Sequence, residues 1–453
     1  MGLFSKKDKS DELSKRWISE GKQFKNQLNG FLDAIYKGGD GPEEPQETRE
    51  DMAEFVYHKA IELNKKGEHQ KLREMFPPAF EPFQRFYDGI ARSINQLIVL
   101  KNNDIVVRAD GNIYSNDENV YLLKNDTIKE QKGILAIGIS SNKEYLAKVT
   151  NTAIEIYKDW DESPIHTFDY PTSYGEAAKN IKVANFKEDG LIILNVEVFN
   201  NGQKVLLVST NGIFILSQTE SQCLLPTQDM LPEMIEDFYE NYEESETFEV
   251  TLSYMHASLS NDNSKIAAGY QSSYHYIYEL NEDTFEITSA IQARSEYPHA
   301  VGFHDSLDHV ALASCHFQQS AVIGLDLKHL PLDINASWYG QELDPKIDAM
   351  NDNIWVYSIL PYKNGYFLGA NNGYIWYIDP KKPNEKSYLH VGGTIMSMDF
   401  SVDKKQLVVS TFSGYIIKFD LTVNERDETL VTNLNIKETN RWVIWRDIEP
   451  LIW

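Results

Sequence analysis

Short runs of apolar residues separated by polar turns recur along most of this chain, and segment 394–420 shows the pattern in its simplest form. It reads TIMSMDFSVDKKQLVVSTFSGYIIKFD. Apolar runs begin at Ile395, Leu407 and Tyr415, with polar turns at 401–405 and 413–414 between them. β-Branched and aromatic runs that end at Gly, Asp or Ser are typical of antiparallel strands joined by tight turns. The segment therefore predicts three consecutive strands of a β-meander.

The same unit of strand, turn and strand recurs seven times. The predicted second strands begin 40 to 61 residues apart, compared with about 40–45 residues for a propeller blade, at Ile105, Tyr145, Val205, Ile266, Val310, Phe367 and Leu407. Units of this size cannot bury their own faces, but they can close radially so that each packs on two neighbours. We therefore predict a mainly β fold, a seven-bladed β-propeller over about residues 94–440. Six or eight blades, or another stacked β-meander, are the alternatives.

Two of the predicted third strands end in an apolar residue followed by Asp, at Ile378-Asp379 and Phe419-Asp420. These dipeptides stand where WD40 repeats often carry Trp-Asp, and the chain resembles the WD40-like β-propeller repeat proteins in this respect. It lacks the Gly-His before the blades, and no Trp-Asp dipeptide ends the third strands, so the resemblance concerns architecture and no subfamily. It implies a protein–protein interaction scaffold or recognition module.

Residues 1–93 show helical periodicity instead. One apolar stripe contains Leu13, Trp17, Phe24, Leu28, Phe31 and Ile35. Thr48 followed by Asp51 resembles a capping box at the start of a second helix. Because an amphipathic helix must bury its stripe, we predict an α-helical N-terminal extension that packs on the following domain or on its partner helix. Self-association through this helix is the alternative.

The amino-acid composition limits the classes of partner that this chain is expected to bind. The formal net charge of −25 disfavours nucleic acid and anionic membrane surfaces, which attract basic proteins. Two cysteines cannot form a disulfide framework, and no run of 18 apolar residues predicts a spanning helix. We expect a soluble, cytoplasmic protein.

Segment 217–250 interrupts the repeat with a dense group of acidic residues, and no Lys or Arg occurs between Val205 and Ser264. Pro232 followed by MIEDFYENY predicts a short acidic helix with Ile235, Phe238, Tyr239 and Tyr242 on its inner side. Carboxylates mixed with aromatic residues suit a basic protein partner. The predicted contact residues here are Glu236, Phe238, Tyr239, Glu240, Tyr242, Glu243 and Glu244. A solvated loop that only favours solubility is the alternative.

The C-terminal segment 441–453 is rich in tryptophan. Trp442, Trp445 and Trp453 would form a partner-binding patch if they were exposed. We expect instead that the segment docks on the N-terminal helices or completes a blade, and we keep Trp442 and Trp445 as candidate contacts.

The sequence contains few residues that could form a catalytic or metal-binding site. His299, His304, His309 and His316, with Cys315, fall in one unit, but strand alternation sends neighbouring side chains to opposite faces. No nucleophile elbow, phosphate loop, HExxH or CxxC motif is present. The sequence therefore favours a non-enzymatic role, with no catalytic residue, cofactor or metal predicted. The alternative is a propeller hydrolase or lactonase with a metal ion in the central channel.

Overall fold

The computed structural model of the protein describes residues 6–36, 42–110, 119–181, 192–242, 247–250, 252–271, 274–316, 319–331, 333–334 and 342–453. The α-helices are α1 (Lys6–Tyr36), α2 (Ala53–Lys65), α3 (His69–Met75), α4 (Gln84–Ile90) and α5 (Leu231–Asn241). Single turns of 3₁₀ helix lie at Glu50–Met52, Glu81–Phe83, Glu176–Ala178, Asp305–Leu307, Leu327–His329 and Asn371–Gly373. None of the described helices combines the length and the apolar character that crossing a bilayer requires.

The rest of the described fold is built from strands. The first sixteen are β1 (Ser93–Val99), β2 (Ile105–Asp110), β3 (Val120–Lys124), β4 (Thr127–Gln131), β5 (Ala136–Ser140), β6 (Leu146–Val149), β7 (Ile154–Tyr157), β8 (His166–Phe168), β9 (Ile193–Val198), β10 (Val205–Ser209), β11 (Gly212–Leu216), β12 (Ser221–Leu225), β13 (His256–Leu259), β14 (Lys265–Gly269), β15 (Tyr274–Asn281) and β16 (Thr284–Gln292). The remaining strands are β17 (Tyr297–His304), β18 (His309–His316), β19 (Gln319–Asp326), β20 (Asp333–Ile334), β21 (Ile347–Asp352), β22 (Val356–Tyr362), β23 (Gly365–Ala370), β24 (Tyr374–Ile378), β25 (Ser387–His390), β26 (Ile395–Phe400), β27 (Gln406–Thr411), β28 (Tyr415–Asp420), β29 (Val431–Thr432), β30 (Lys437–Val443) and β31 (Leu451–Ile452).

The strands of the described residues group into antiparallel four-strand units, which we number 1 to 7 in chain order. These are β1–β4, β5–β8, β9–β12, β13–β16, β17–β19 with β21, β22–β25, and β26–β28 with β30. Units 2 and 3 share one sheet through a short parallel pairing of β5 with β9. The strands β20, β29 and β31 extend units 4, 6 and 7 at their outer edges. The number of blades stays a prediction.

The first strands of the units form the inner wall of a ring. Each contacts the first strand of the next unit in the order β1, β5, β9, β13, β17, β22 and β26, and β26 contacts β1. The ring is therefore closed by packing between the first and last units. This arrangement is a β-propeller with an α-helical N-terminal extension, and the predicted fold class is confirmed.

The turn between the first and second strands contains a residue with a left-handed backbone conformation in every unit. One residue of each turn has a positive φ, between 50° and 70°: Asn103, Lys143, Gly202, Asn263, Asp308, Lys363 and Lys404. Gly, Asn and Asp tolerate this left-handed conformation best, and a tight turn needs it. The polar turn residues of the sequence repeat thus mark the positions where the chain reverses.

The helical extension packs on the ring beside units 6 and 7. Trp17, Phe76 and Phe83 share one apolar core with Trp445 and Trp453 of the C-terminal segment. Farther along α1, Phe24, Leu28 and Leu32 join the core of units 5 and 6. Most of the predicted stripe is therefore covered by this chain, and Ile35 is 42% exposed.

The predicted capping interaction between Thr48 and Asp51 is wrong. The Thr48 hydroxyl donates to Glu20, and Asp51 forms an ion pair with Arg16 at 2.6 Å. Both side chains thus link their segment to α1, because Arg16 and Glu20 stand one helical turn apart on the facing surface of that helix.

Candidate protein-binding surface

The acidic insertion forms a helix, α5, which follows the last strand of unit 3 along the chain, as the sequence predicts. Pro232 lies in its first turn, where a missing backbone N–H removes no helical hydrogen bond. Leu231 and Phe238, seven residues apart, are the buried positions of the helix. The ring of Phe238 contacts that of Phe248 edge to face, with centroids 5.5 Å apart. These two positions fix which side of α5 faces the ring.

The opposite side of α5 is acidic and exposed. Glu233, Glu236, Asp237 and Glu240 are all exposed, and none forms an ion pair with a residue that the structure describes. Glu243 and Glu244, also predicted as contacts, lie outside the described residues. The described acidic face therefore has uncompensated negative charge.

Aromatic side chains border this face. Tyr239 is half-buried, and Tyr242, one residue beyond the helix, is 59% exposed. The expectation that Tyr242 points inward is wrong, because the helix ends before it and the backbone turns to an extended conformation. Its ring stacks on that of Phe238, with centroids 4.6 Å apart. An exposed tyrosine held in place by a buried phenylalanine can contact a partner with little loss of side-chain entropy.

Trp442 and Trp445 lie in a different place. Both are buried, with 1% and 2% of their surface exposed. Trp442 packs in the core between units 1 and 7. The indole N–H of Trp445 donates to the carbonyl of Ser413 at 3.0 Å. The structure therefore does not bring these two residues to the acidic surface, and both contact this chain.

The central channel is a second place where polar groups meet. It encloses a cavity of about 650 Å³ whose wall includes residues from all seven first strands. Glu197 in this wall accepts a hydrogen bond from the Leu259 amide at 2.9 Å. Burial raises the pKa of Glu197 to about 7. Opposite charges also meet there, where Lys143 and Asp399 form an ion pair at 2.6 Å. The charged side chains in the channel wall are thus paired with a backbone amide or with an opposite charge from another unit of the ring.

The histidines divide into two groups. His299 lies 3.0 Å from the sulfur of Cys315, measured from Nε2 to Sγ. His304 and His309 flank the ring of Tyr366 in the next unit, with centroids 5.2 Å and 5.7 Å away. The side chain of His316 lies outside the described residues.

Two histidines that the sequence reasoning missed stand near His299. His256 and His275 pack edge to face with centroids 5.8 Å apart, and burial lowers the pKa of His256 and of His299 to about 4. They belong to unit 4, so no local spacing pointed to them. Among the described residues, no group of three or more His, Cys, Asp or Glu side chains is arranged to hold a metal ion.

Solved β-propeller structures are similar to this chain at low identity. KlHsv2 with loop 6CD replaced by a Gly-Ser linker is 10% identical, with a TM-score of 0.44 over 78% of this chain and 100% of that chain. The β-propeller domain of Cps50 (Swd1) from Myceliophteria thermophila is 9% identical, with a TM-score of 0.43 over 70% and 92%. The WD40 β-propeller domain of Doa1 is 12% identical, with a TM-score of 0.42 over 71% and 91%. No protein-family model and no curated protein sequence matches the chain. The propeller assignment rests on the ring contacts of the chain itself.

Proposed function

We propose that this chain is a non-enzymatic, cytoplasmic protein-interaction scaffold that binds a basic segment of another protein on the exposed face of α5. The observation that carries the proposal is the pairing of Glu233, Glu236, Asp237 and Glu240, all exposed, with the exposed ring of Tyr242. Opposite charge accelerates encounter, and an aromatic contact slows dissociation.

The position of α5 supports this role. The helix is an insertion in the connection from β12 to β13, so it is not one of the strands that build the ring. Its buried residues join the core of units 2 and 3, which holds it against a rigid support. Substitutions on such a surface can alter its charge without disturbing the packing of the propeller core.

The test compares two variants with equal change of charge. In the first, Glu236→Gln, Asp237→Asn and Glu240→Gln neutralise the α5 face. In the control, Glu282→Gln, Asp283→Asn and Glu286→Gln neutralise three exposed acids of the β15–β16 hairpin. Both variants and the natural chain are used for affinity purification from the native host at low and at near-physiological salt.

We expect a protein with a basic segment to be captured by the natural chain and by the control, and to be lost with the α5 variant. Its capture should weaken as salt rises, because screening reduces interactions between exposed charges. If both variants retain every partner at low salt, the acidic face is not the binding surface.

Self-association through α1 is a separate prediction. On this helix Ile18 and Ile35 are each 42% exposed, while most of the remaining apolar stripe packs on the ring. The solution mass of the Ile18→Ser/Ile35→Ser double variant and of the natural chain, measured by light scattering, tests it. Equal monomeric masses would contradict it.

A further inference from the structure

A cavity of about 360 Å³ lies between the helical extension and units 6 and 7, and several basic side chains line its wall. Its charged wall residues are Lys25, Arg73, Lys437 and Arg441 on the basic side and Glu81, Asp427 and Glu438 on the acidic side. The chain as a whole has 68 acidic and 43 basic residues. Four basic side chains from three separate elements therefore line one cavity, although the chain as a whole is acidic.

Glu438 is shared by two of the arginines. Arg441 donates to it from Nε at 3.1 Å and from Nη2 at 2.8 Å, and Arg73 donates to it from Nη2. Burial alone would raise the pKa of Glu438, but the charges of Arg441 and Arg73 hold it below its usual value. One carboxylate thus faces two guanidinium groups, and this group of three keeps a net positive charge.

Lys25 adds a further positive charge from the inner face of α1. It lies beside the buried Phe24 and one turn before the buried Leu28. In the described part of the chain its ammonium takes part in no hydrogen bond or ion pair. Burial lowers its pKa to about 8, so it is still mostly charged at neutral pH. Lys25 is only partly exposed, and a partly buried ammonium that forms no hydrogen bond loses some of its hydration without full compensation.

A donor of Arg73 is also unused. Its Nε atom is buried and has no hydrogen-bond partner among the described residues. Its other described contacts, to the Thr439 carbonyl and to Glu438, involve the two Nη atoms. Arg73, whose side chain is 28% exposed, and Lys25 line the wall of the same cavity.

We propose that this cavity binds an oxyanion, the phosphate or carboxylate group of a small ligand, through Lys25 and Arg73, with Lys437 beside them. Guanidinium and ammonium groups are the side chains that bind these anions best, since each hydrogen bond is assisted by charge. The cavity volume is that of a small-molecule site. Lys25 feels the charges of Glu81 and Glu438 but forms no hydrogen bond with a described residue, so a bound anion would supply that hydrogen bond and would tie α1 and α3 to unit 7.

The experiment uses the full chain with inorganic phosphate and with citrate as probes, and with sodium chloride at the same ionic strength as reference. Isothermal titration calorimetry and thermal denaturation are the readouts. We expect saturable binding and a higher melting temperature with one of the two probes. Phosphate binding alone identifies a phosphate ligand, and citrate binding alone a carboxylate ligand. No saturable binding of either probe overturns the proposal.

Two variants on α1 locate the site. Lys25→Gln should weaken binding by about tenfold or more, the usual effect of removing one hydrogen bond between charged groups. Lys22→Gln is the control, because Lys22 is 63% exposed and its carboxylate partner Glu428 is 83% exposed. Equal affinity of Lys25→Gln and the natural chain overturns the proposal.

A measurement on the natural chain does not depend on the folding of a variant. Acetylation of lysines, followed by mass spectrometry, gives the modification rate of each side chain. The probe that binds should slow modification of Lys25 and leave Lys22 unchanged. Equal rates at Lys25 with and without the probe contradict the proposal.

Discussion

Lys143 in the first turn of unit 2 forms an ion pair with Asp399 on the first strand of unit 7, with 2.6 Å between Nζ and Oδ2. The unit between them takes part as well. Asp399 accepts from the Val99 amide at 2.7 Å, and Lys143 donates to the Val99 carbonyl at 3.0 Å. The contact thus joins units 7, 1 and 2 at the point where the ring closes.

Lys143→Met should lower the free energy of unfolding by about 2–4 kcal/mol, because it leaves Asp399 partly buried without its cation. The side chains are only 11% and 18% exposed, so water compensates little. Chemical denaturation measures the change. The control is Lys101→Met, which removes an ion pair to Glu144 that is 61% and 50% exposed, and should change stability by less than about 1 kcal/mol. Equal effects of the two variants would contradict a closing role for Lys143.

Side chains on other first strands make comparable contacts. Gln96 of unit 1 accepts from the Ile137 amide of unit 2 at 3.2 Å, and Glu197 of unit 3 accepts from the Leu259 amide of unit 4 at 2.9 Å. In each case a polar side chain satisfies a buried backbone donor on the inner strand of the next unit. Neighbouring units are therefore joined by directed hydrogen bonds in addition to apolar packing.

Glu197 should make stability depend on pH. Burial raises its folded-state pKa to about 7, above the ordinary value of a glutamate, so the charged form destabilises the folded state. Stability should then fall as pH rises from about 4.5 to about 7.

The Glu197→Gln variant removes this titration and keeps an oxygen for the Leu259 amide. It should be more stable than the natural chain by about 1–3 kcal/mol above pH 7, with the difference vanishing below about pH 4.5. Urea unfolding over this range measures it. Glu220→Gln, at an exposed turn, is the control. A difference that does not change with pH would exclude the proposed titration.

Trp453 fixes the C-terminal segment to the helices. Its indole N–H donates to the Phe76 carbonyl at 2.7 Å, and its ring contacts that of Phe83 at 5.8 Å. Trp453→Ala should cost about 3–5 kcal/mol, the usual loss for a buried tryptophan. Phe412→Ala, at a residue that is 50% exposed, should stay within about 0.5 kcal/mol. Thermal denaturation distinguishes them, and similar melting temperatures would show that the segment is not held in this way.

Gly392 lies at a close contact between the helical extension and the end of unit 6. Its φ is +80°, and an added Cβ would lie 1.9 Å from Cγ of Phe80. Gly392→Ala should therefore destabilise the protein by about 2–3 kcal/mol through strain and overpacking. Gly30→Ala in α1 meets no atom within 4 Å and should stabilise it by about 0.5–1 kcal/mol. Calorimetric melting should give shifts of opposite sign, and shifts of the same sign would contradict this contact.

Much of the architecture could be predicted from local patterns. The apolar runs and polar turns located the second strands β2 and β10, which begin at the predicted Ile105 and Val205, and β18, which begins one residue before the predicted Val310, because strand alternation and turn chemistry act over a few residues. The acidic helix was predicted for the same reason, from Pro232 and the spacing of the apolar residues after it. Tyr242 was placed wrongly because the end of a helix depends on the contacts of the chain that follows.

The contacts between distant residues could not be predicted in this way. Lys143 and Asp399 are 256 residues apart, and Tyr388 donates to Asp33 across 355 residues. His256, His275 and His299 come near each other only because unit 4, which contains β13 and β15, packs on β17 of unit 5. No pattern within one strand encodes which unit will be its neighbour.

The sequence by itself determined the repeated strand units, the helical extension and the acidic helix, since short-range periodicity and turn residues specify each of them. Only the tertiary structure decided which charges meet. Closure of the ring placed Asp399 beside Lys143, and docking of α1 and α3 on unit 7 placed Lys25 and Arg73 at one cavity. The physical reason is that charge pairing depends on distances through space, which the fold sets after the local elements have formed.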